Sequence, residues 1–356
     1  MATTSDLLFN QGLDRFVLFP IQLPEVWKAY KDQVKSFWTT DVIDLSKDIQ
    51  DWRNKLSPAH HSFVKTVLAF FAASDGIVGE NLVMNFMSEF DAPEVRCFYG
   101  FQAAMENIHS EMYSLIIDVL IEDTQERQKL FQAIDHYPCV KQKAEWAMRW
   151  MGLNGEGNDD GLDHSPGIGQ RLVAFSAVEG IFFSCSFCAI YFLRKSGLMP
   201  GLCQSNEYIA RDEGMHTEFA CNLMRMLPAC SAECASAAHG CTKACACKGR
   251  CRPSAELITK IITEAVEIER NFVREALKVD LIGINSVLME QYLECVADGL
   301  LTMLGVDKCY GTPNPFPWMD LLNLVPKSNF FENRVTQYKR AGHANPTSGF
   351  NVVEDF

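Results

Sequence analysis

The stretch "MENIHSEMY", residues 105–113, sets Glu106, His109 and Tyr113 three and four residues apart inside an apolar run. Further along, "RDEGMHTEF", residues 211–219, repeats the Glu-x-x-His spacing at Glu213 and His216. Residues three or four apart share one face of a helix. Each pair therefore offers one carboxylate oxygen and one imidazole nitrogen in the same direction. The surrounding apolar spacing is helical, so the two pairs belong on two helices, and the question becomes what they face.

Working outward, the periodicity stays helical almost throughout. Pro24 opens a helix over 24–38, with Trp27, Tyr30, Val34 and Trp38 as its apolar stripe. Long helical stretches follow from Ser57-Pro58 to about Phe90, over 93–122 and over 124–151. The segment "NGEGNDDGLDHSPGIG", residues 154–169, has loop composition. Helices resume over 170–196, 203–227, 254–279 and 285–304. No segment alternates like a strand, and no short-period repeat occurs. Helices this long, set side by side, predict an all-α bundle.

Composition narrows the functional classes. The chain has 356 residues, 48% of them apolar, and a net charge of -13. A nucleic-acid surface would be basic, so nucleic acid is excluded as a partner. An anionic membrane is excluded on the same ground. The run "GIFFSCSFCAIYFL", residues 180–193, is shorter than the roughly 20 residues a membrane span needs and reads as a buried helix. The opening "MATTSDLLFN" lacks the pattern of a secretory signal, so a soluble cytoplasmic protein is expected. Cys97, Cys139, Cys185, Cys188, Cys203, Cys221, Cys295 and Cys309 then read as reduced thiols among apolar neighbours.

Two acids complete the pattern of the opening stretch. Asp75, in "LAFFAASDGIVGENL", precedes Glu106 by 31 residues, and Glu179, in "LVAFSAVEGIFFSCSF", precedes Glu213 by 34. An unpaired carboxylate in such surroundings costs several kcal/mol. A single Glu-x-x-His is more often a solvated surface pair. Two of them, each preceded by an apolar-embedded acid at matching distance, point to a dinuclear metal site of the kind held by ferritin-like bundles, for which this donor set is the standard description. Carboxylates with imidazoles favour iron or manganese over a structural zinc. Tyr113 lies one turn beyond His109. Taken alone it would be a core tyrosine, but Phe183, Phe187 and Ile209 lie one or two turns from the proposed ligands and could wall a dry pocket around it.

At these residues the chain closely resembles the small, radical-generating subunit of class I ribonucleotide reductase, eukaryotic type. The matching stretches are "LAFFAASDGIVGENL", "RCFYGFQAAMENIHSEMYSLIID", "AVEGIFFSCSF", "GLMPGL" and "SNEYIARDEGMH", within a resemblance running from about Leu18 to Phe356. It implies a ferritin-like helical bundle over 1–338 and a di-iron centre, with manganese as a substitute. The implied ligands are Asp75, Glu106, His109, Glu179, Glu213 and His216. It implies a tyrosyl radical on Tyr113, formed with O2, in a pocket of Phe183, Phe187 and Ile209. It implies a transfer route through Trp38, Asp212 and His109, and from Tyr338 to a large catalytic subunit. The flexible tail, 339–356, ends in "FNVVEDF", residues 350–356, the implied docking segment for that subunit. The expected function is reduction of ribonucleoside diphosphates to deoxyribonucleotides by a homodimer of this chain with its large partner. The rival readings are a di-iron oxidase or monooxygenase and an iron-binding or storage protein, neither of which needs the chain of Tyr113, Trp38 and Tyr338. Without the resemblance, Asp212 would read as a partner of Arg211 and Trp38 as core.

One region departs from the family. An insertion at 228–253 contains "CSAECASAAHGCTKACACKGRC", residues 230–251, with six cysteines and His239 in no standard zinc-finger spacing. A loop with affinity for a soft metal such as zinc or Cu(I), a redox-sensitive thiol cluster, and an insertion without chemistry all remain open.

Overall fold

The computed structural model describes residues 4–9, 12–81, 85–152, 165–230, 241–243, 245, 247–276, 285–316 and 319, the side chains of Ser5, Asp14 and Asp75 excepted. By its backbone the chain divides into Met1–Val325 and Pro326–Phe356, the second of which lies outside the described residues. Tyr338 and the tail over 339–356 lie there too.

Among the described residues the fold is all-α. The main helices are α1 (Pro24–Lys35), α2 (Ser46–Asn54), α3 (Pro58–Asn81), α4 (Pro93–Leu120), α5 (Thr124–Phe131) and α6 (Pro138–Met151). They continue with α7 (Ile168–Ala177), α8 (Ser184–Lys195), α9 (Pro200–Met226), α10 (Ala255–Ala276) and α11 (Ser286–Leu304). Two isolated backbone bridges, Pro166 with Thr242 and Ala229 with Arg252, are the β-type pairings present.

Local chemistry sets the helix starts. Proline at the first turn opens α1, α4, α6 and α9, where its missing N–H costs nothing. The Asp123 carboxylate accepts from Glu126 N–H at 2.7 Å, and the Asn285 side chain accepts from Leu288 N–H at 2.9 Å. The start of α9 is capped from a distance. Buried Asp48 on α2 accepts from the N–H groups of Gly201 and Leu202 at 2.8 and 2.7 Å. The carboxylate offsets the positive end of the helix that carries Glu213 and His216.

Three boundaries differ from the sequence expectation. Helix α1 stops at Lys35, because the Ser36 hydroxyl turns back to Gln33 O at 2.7 Å and Arg211 takes the Ser36 carbonyl at 2.7 Å. Trp38 therefore lies just past the helix. The expected helix over 124–151 breaks before Pro138, which restarts it as α6. Between α7 and α8 the chain forms one π-helical turn, Val178–Phe182, with Glu179 inside it.

The most extensive helix pairings are α3 with α4, α7 with α9, α1 with α4 and α10 with α11. Two helices, Pro58–Asn81 and Ile168–Lys195, are long and apolar enough to cross a membrane by length and composition. The apolar window of the second is wholly buried in the bundle. Burying each large apolar side chain contributes about 1.5–3 kcal/mol, and Phe70, Phe71, Phe182, Phe183 and Phe272 are all nearly inaccessible. One charge sits among them. Lys143 ion-pairs with Glu269 at 2.6 Å, donates to Phe182 O at 2.8 Å, and lies 3.7 and 3.5 Å from the ring centres of Phe70 and Phe272. Its bond to Phe182 O anchors the end of the π turn. Burial pushes the Glu269 carboxyl up, to about 7, against the pull of Lys143.

Candidate metal centre

Helix α4 supplies Glu106 and His109, α9 supplies Glu213 and His216, and the π turn supplies Glu179. All five side chains are buried. One donor atom from each of Glu106, Glu179, Glu213 and His216 falls within 4.8 Å of the others. Nδ1 of His109 faces Glu106 Oε2 at 3.1 Å and Glu213 Oε1 at 3.0 Å. Nδ1 of His216 faces Glu106 Oε1 at 3.1 Å and Glu213 Oε2 at 2.9 Å. Glu106 and Glu213 thus lie between both imidazoles. Asp75 is on α3, and its side chain lies outside the described residues.

The outer nitrogen of His109 settles its tautomer. Nε2 lies 3.2 Å from Asp212 Oδ2, and Trp38 Nε1–H donates to the same oxygen at 2.7 Å. Arg211 binds Asp212 Oδ1 at 3.0 Å. An oxygen that already accepts from an indole has no proton to offer, so His109 carries its proton on Nε2. Its Nδ1 lone pair then points at two carboxylate oxygens about 3 Å away. Lone pair against carboxylate is repulsive unless a proton or a cation lies between them. Burial alone would hold both imidazoles below their usual range. The surrounding carboxylates win, raising His109 well above it and His216 to about 9. The same paired imidazoles, against the burial penalty, hold Glu213 far below the usual carboxylate range. The site is built for positive charge, and an all-oxygen and nitrogen donor set suits hard or borderline divalent ions.

Tyr113 lies one turn beyond His109 on α4 and is 2% exposed. Its ring sits 4.6 Å from that of Phe71. Phe183 and Phe187 pack on the same Phe71 ring at 5.4 and 5.5 Å. Ile209 is fully buried one turn before Glu213. Trp38 is buried, its ring 6.0 Å from that of His109 and 5.4 Å from that of Tyr208.

Sequence reasoning passed over two residues. Phe71 stands four before Asp75 and so shares its face of α3. Gln102 stands four before Glu106, and its Nε2 donates to Glu106 Oε1 at 3.2 Å and Glu179 Oε1 at 3.3 Å. That single spacing was the available signal for both. Asp212 proves to hold Arg211 and the Trp38–His109 pair at once, one on each carboxylate oxygen.

Comparison with known proteins finds relatives along most of the chain. The family model described as "Ribonucleotide reductase, small chain" matches residues 15–315. The chain is 50% identical over 340 residues to the ribonucleoside-diphosphate reductase small chain of Neurospora crassa, covering 96% of this chain and 75% of that one. It is 49% identical over 351 residues to the human ribonucleoside-diphosphate reductase subunit M2, covering 98% and 82%. Among solved structures it resembles the Rnr4 homodimer of Saccharomyces cerevisiae, with TM-score 0.69 and 36% identity over 85% of this chain and 86% of that one. The ribonucleotide reductase R2 subunit of Clostridium botulinum shares the fold, with TM-score 0.71 and 21% identity over 85% and 89% of the two chains.

Proposed function

Since the chain belongs to the ribonucleotide reductase small-chain family, we propose that it works as the radical-generating subunit of a ribonucleoside-diphosphate reductase. The observation that carries this reading is the pair of imidazole Nδ1 atoms, each aimed at both Glu106 and Glu213 within 3.1 Å. Glu106, His109, Glu179, Glu213 and His216, joined by Asp75 from α3, hold a dinuclear centre, with iron as the metal. Oxidising equivalents drawn from O2 are the chemistry that a bound pair of redox-active ions supplies here.

The rest falls to the chain's own residues. Tyr113 is the group oxidised. A phenol with pKa about 10 must lose its proton along with the electron, so its hydroxyl has to lie beside a proton acceptor at the centre. Phe71, Phe183, Phe187 and Ile209 keep water and small reductants away from the resulting radical. Asp212 orients His109 and links it by hydrogen bonds to the buried Trp38, which supports these residues as the first steps of the route. Beyond Trp38 the reading needs Tyr338 and the docking tail 350–356 to reach a large catalytic subunit, where the nucleotide is reduced. The chain acts as a homodimer, as its Saccharomyces relative does.

The test is low-temperature electron paramagnetic resonance after addition of Fe(II) and O2. A tyrosyl doublet is expected in the wild type and none in Tyr113→Phe. An unchanged signal in the variant moves the radical elsewhere, and manganese in its place would appear in metal analysis of the purified chain. Deleting 350–356 should abolish turnover with the large subunit while iron content stays the same. Full turnover by the shortened chain rejects the docking role.

A further inference from the structure

Among the described residues, four thiols of the cysteine-rich insertion gather beside the bundle. Cys230, Cys241 and Cys251 bring their Sγ atoms within 4.8 Å of one another, and Cys241 and Cys251 are buried. Cys247 lies against two of the three, its Sγ 2.8 Å from that of Cys241 and 3.9 Å from that of Cys251, with Cys230 farther off on the other side. Cys245 stays apart from this knot and sits against the Thr242 hydroxyl at 3.8 Å. Sulphurs bound to one tetrahedral zinc at about 2.3 Å lie about 3.8 Å apart. The Cys247–Cys251 spacing already has that value. The Cys241–Cys247 pair is closer, yet well beyond a bonded disulfide of about 2.05 Å.

The knot is tied into the bundle at both helices that carry the second half of the carboxylate centre. The carbonyl of Cys241 accepts from Gly167 N–H at 3.0 Å and from the Gln170 amide at 3.1 Å, and Gly249 O accepts from Ile168 N–H at 2.9 Å. These bonds satisfy donors at the start of α7, which leads into Glu179. The approach is so close that a Cβ on Gly167 would meet Cys241 O at 2.5 Å, and one on Gly249 would meet Gly167 Cα at 2.7 Å. On the other side, the Arg252 guanidinium binds the carbonyls of Arg225 and Leu227 at the end of α9. The charge fits as well. Four thiolates around a divalent ion leave two negative charges, and Lys243, Lys248, Arg250 and Arg252 lie within this short segment of an otherwise acidic chain.

We propose that Cys230, Cys241, Cys247 and Cys251 bind one zinc ion, a structural site separate from the carboxylate centre. Each thiol gives up its proton as its sulphur bonds the metal, so no oxidant or reductant takes part. All four positions are filled by protein, which leaves none open for water or substrate and makes the site a clamp. It holds the insertion against the first turn of α7 and the last turn of α9. Thiols ligate zinc as thiolates, so zinc uptake is coupled to proton release.

The test uses the full-length chain with its carboxylate centre already loaded with iron. Elemental analysis should find about one zinc per chain, released when a mercurial reagent titrates the thiols. Co(II) in its place should give sulphur-to-cobalt charge-transfer absorption with tetrahedral d–d bands. Cys247→Ser and Cys251→Ser should lose the zinc and keep the iron, while Cys245→Ser keeps both. The wild-type mercurial and cobalt readings decide the matter even if a serine variant fails to fold. Absence of zinc with no cobalt spectrum, iron–sulphur absorption, a Cys241–Cys247 disulfide in unreduced peptides, or equal zinc loss in Cys245→Ser would overturn the assignment.

Discussion

The two halves of the carboxylate centre share a plan and differ in their surroundings. Each pairs an acid on one helix with Glu-x-x-His on the next, and Glu106 and Glu213 stand in equivalent positions between the imidazoles. The outer nitrogens part company. His109 Nε2 binds Asp212, which binds Trp38. His216 Nε2 is buried with no hydrogen-bond partner among the described residues, and beside its ring stands Phe98, 6.4 Å away edge to face. The backbone differs as well, since Glu179 sits in a π turn and Asp75 in a regular helix. Ligand spacing alone would make the halves interchangeable. The second layer ties one half to Asp212 and the buried Trp38 and sets the other against Phe98.

The comparison can be broken most directly at a residue the halves share. Glu213→Ala removes a carboxylate that faces both imidazoles, so metal binding should collapse at both positions, as read by metal content per chain. Retention of half the metal would mean that the halves are independent. Next in size is the difference between outer layers. Asp212→Asn should cost about 10–100-fold in turnover, the usual effect of losing a partner behind a ligating histidine. Trp38→Phe should keep the metal and the radical signal yet lose turnover. Phe98→Leu, the matching change beside His216, should stay within a few-fold in the same assay, and an effect as large as that of Asp212→Asn would erase the asymmetry. The smallest effect is expected at Phe71→Leu, with about 1 kcal/mol of stability lost. The radical should decay severalfold faster, followed by the loss of its paramagnetic signal with time.

Most of the fold was readable because proline, caps and apolar spacing act locally. Pro24 marked a helix start without any knowledge of tertiary structure, and the expected helix over 93–122 begins at Pro93; Pro138 was read through and Pro200 was read as lying beyond a helix end, although both open helices. The centre was readable for a related reason, since two helical turns carry their own geometry. What escaped depends on contacts far apart in the chain. The helix at Ser46–Asn54 was missed, and its purpose lies about 150 residues away, where Asp48 caps α9. The π turn was invisible because no residue type demands it. Nothing in the sequence singles out Lys143 and Glu269, 126 residues apart, which the packing brings together at 2.6 Å. The cysteine spacing matched no known pattern, and only the folded backbone shows which thiols converge and that Cys245 stands aside.

The π turn at Val178–Phe182 makes chain length itself a functional variable. A helix that holds one surplus residue in a single wide loop has taken up an insertion without advancing its pitch in the ordinary way. Set into a regular helix, that residue would have turned everything after it by about 100°; the wide turn absorbs it, so Phe183 and Phe187 still meet Phe71. What it displaces is local, and Glu179 is the acid that rides on the displaced turn. Removing one residue there should leave α8 in phase and move the Glu179 carboxylate instead.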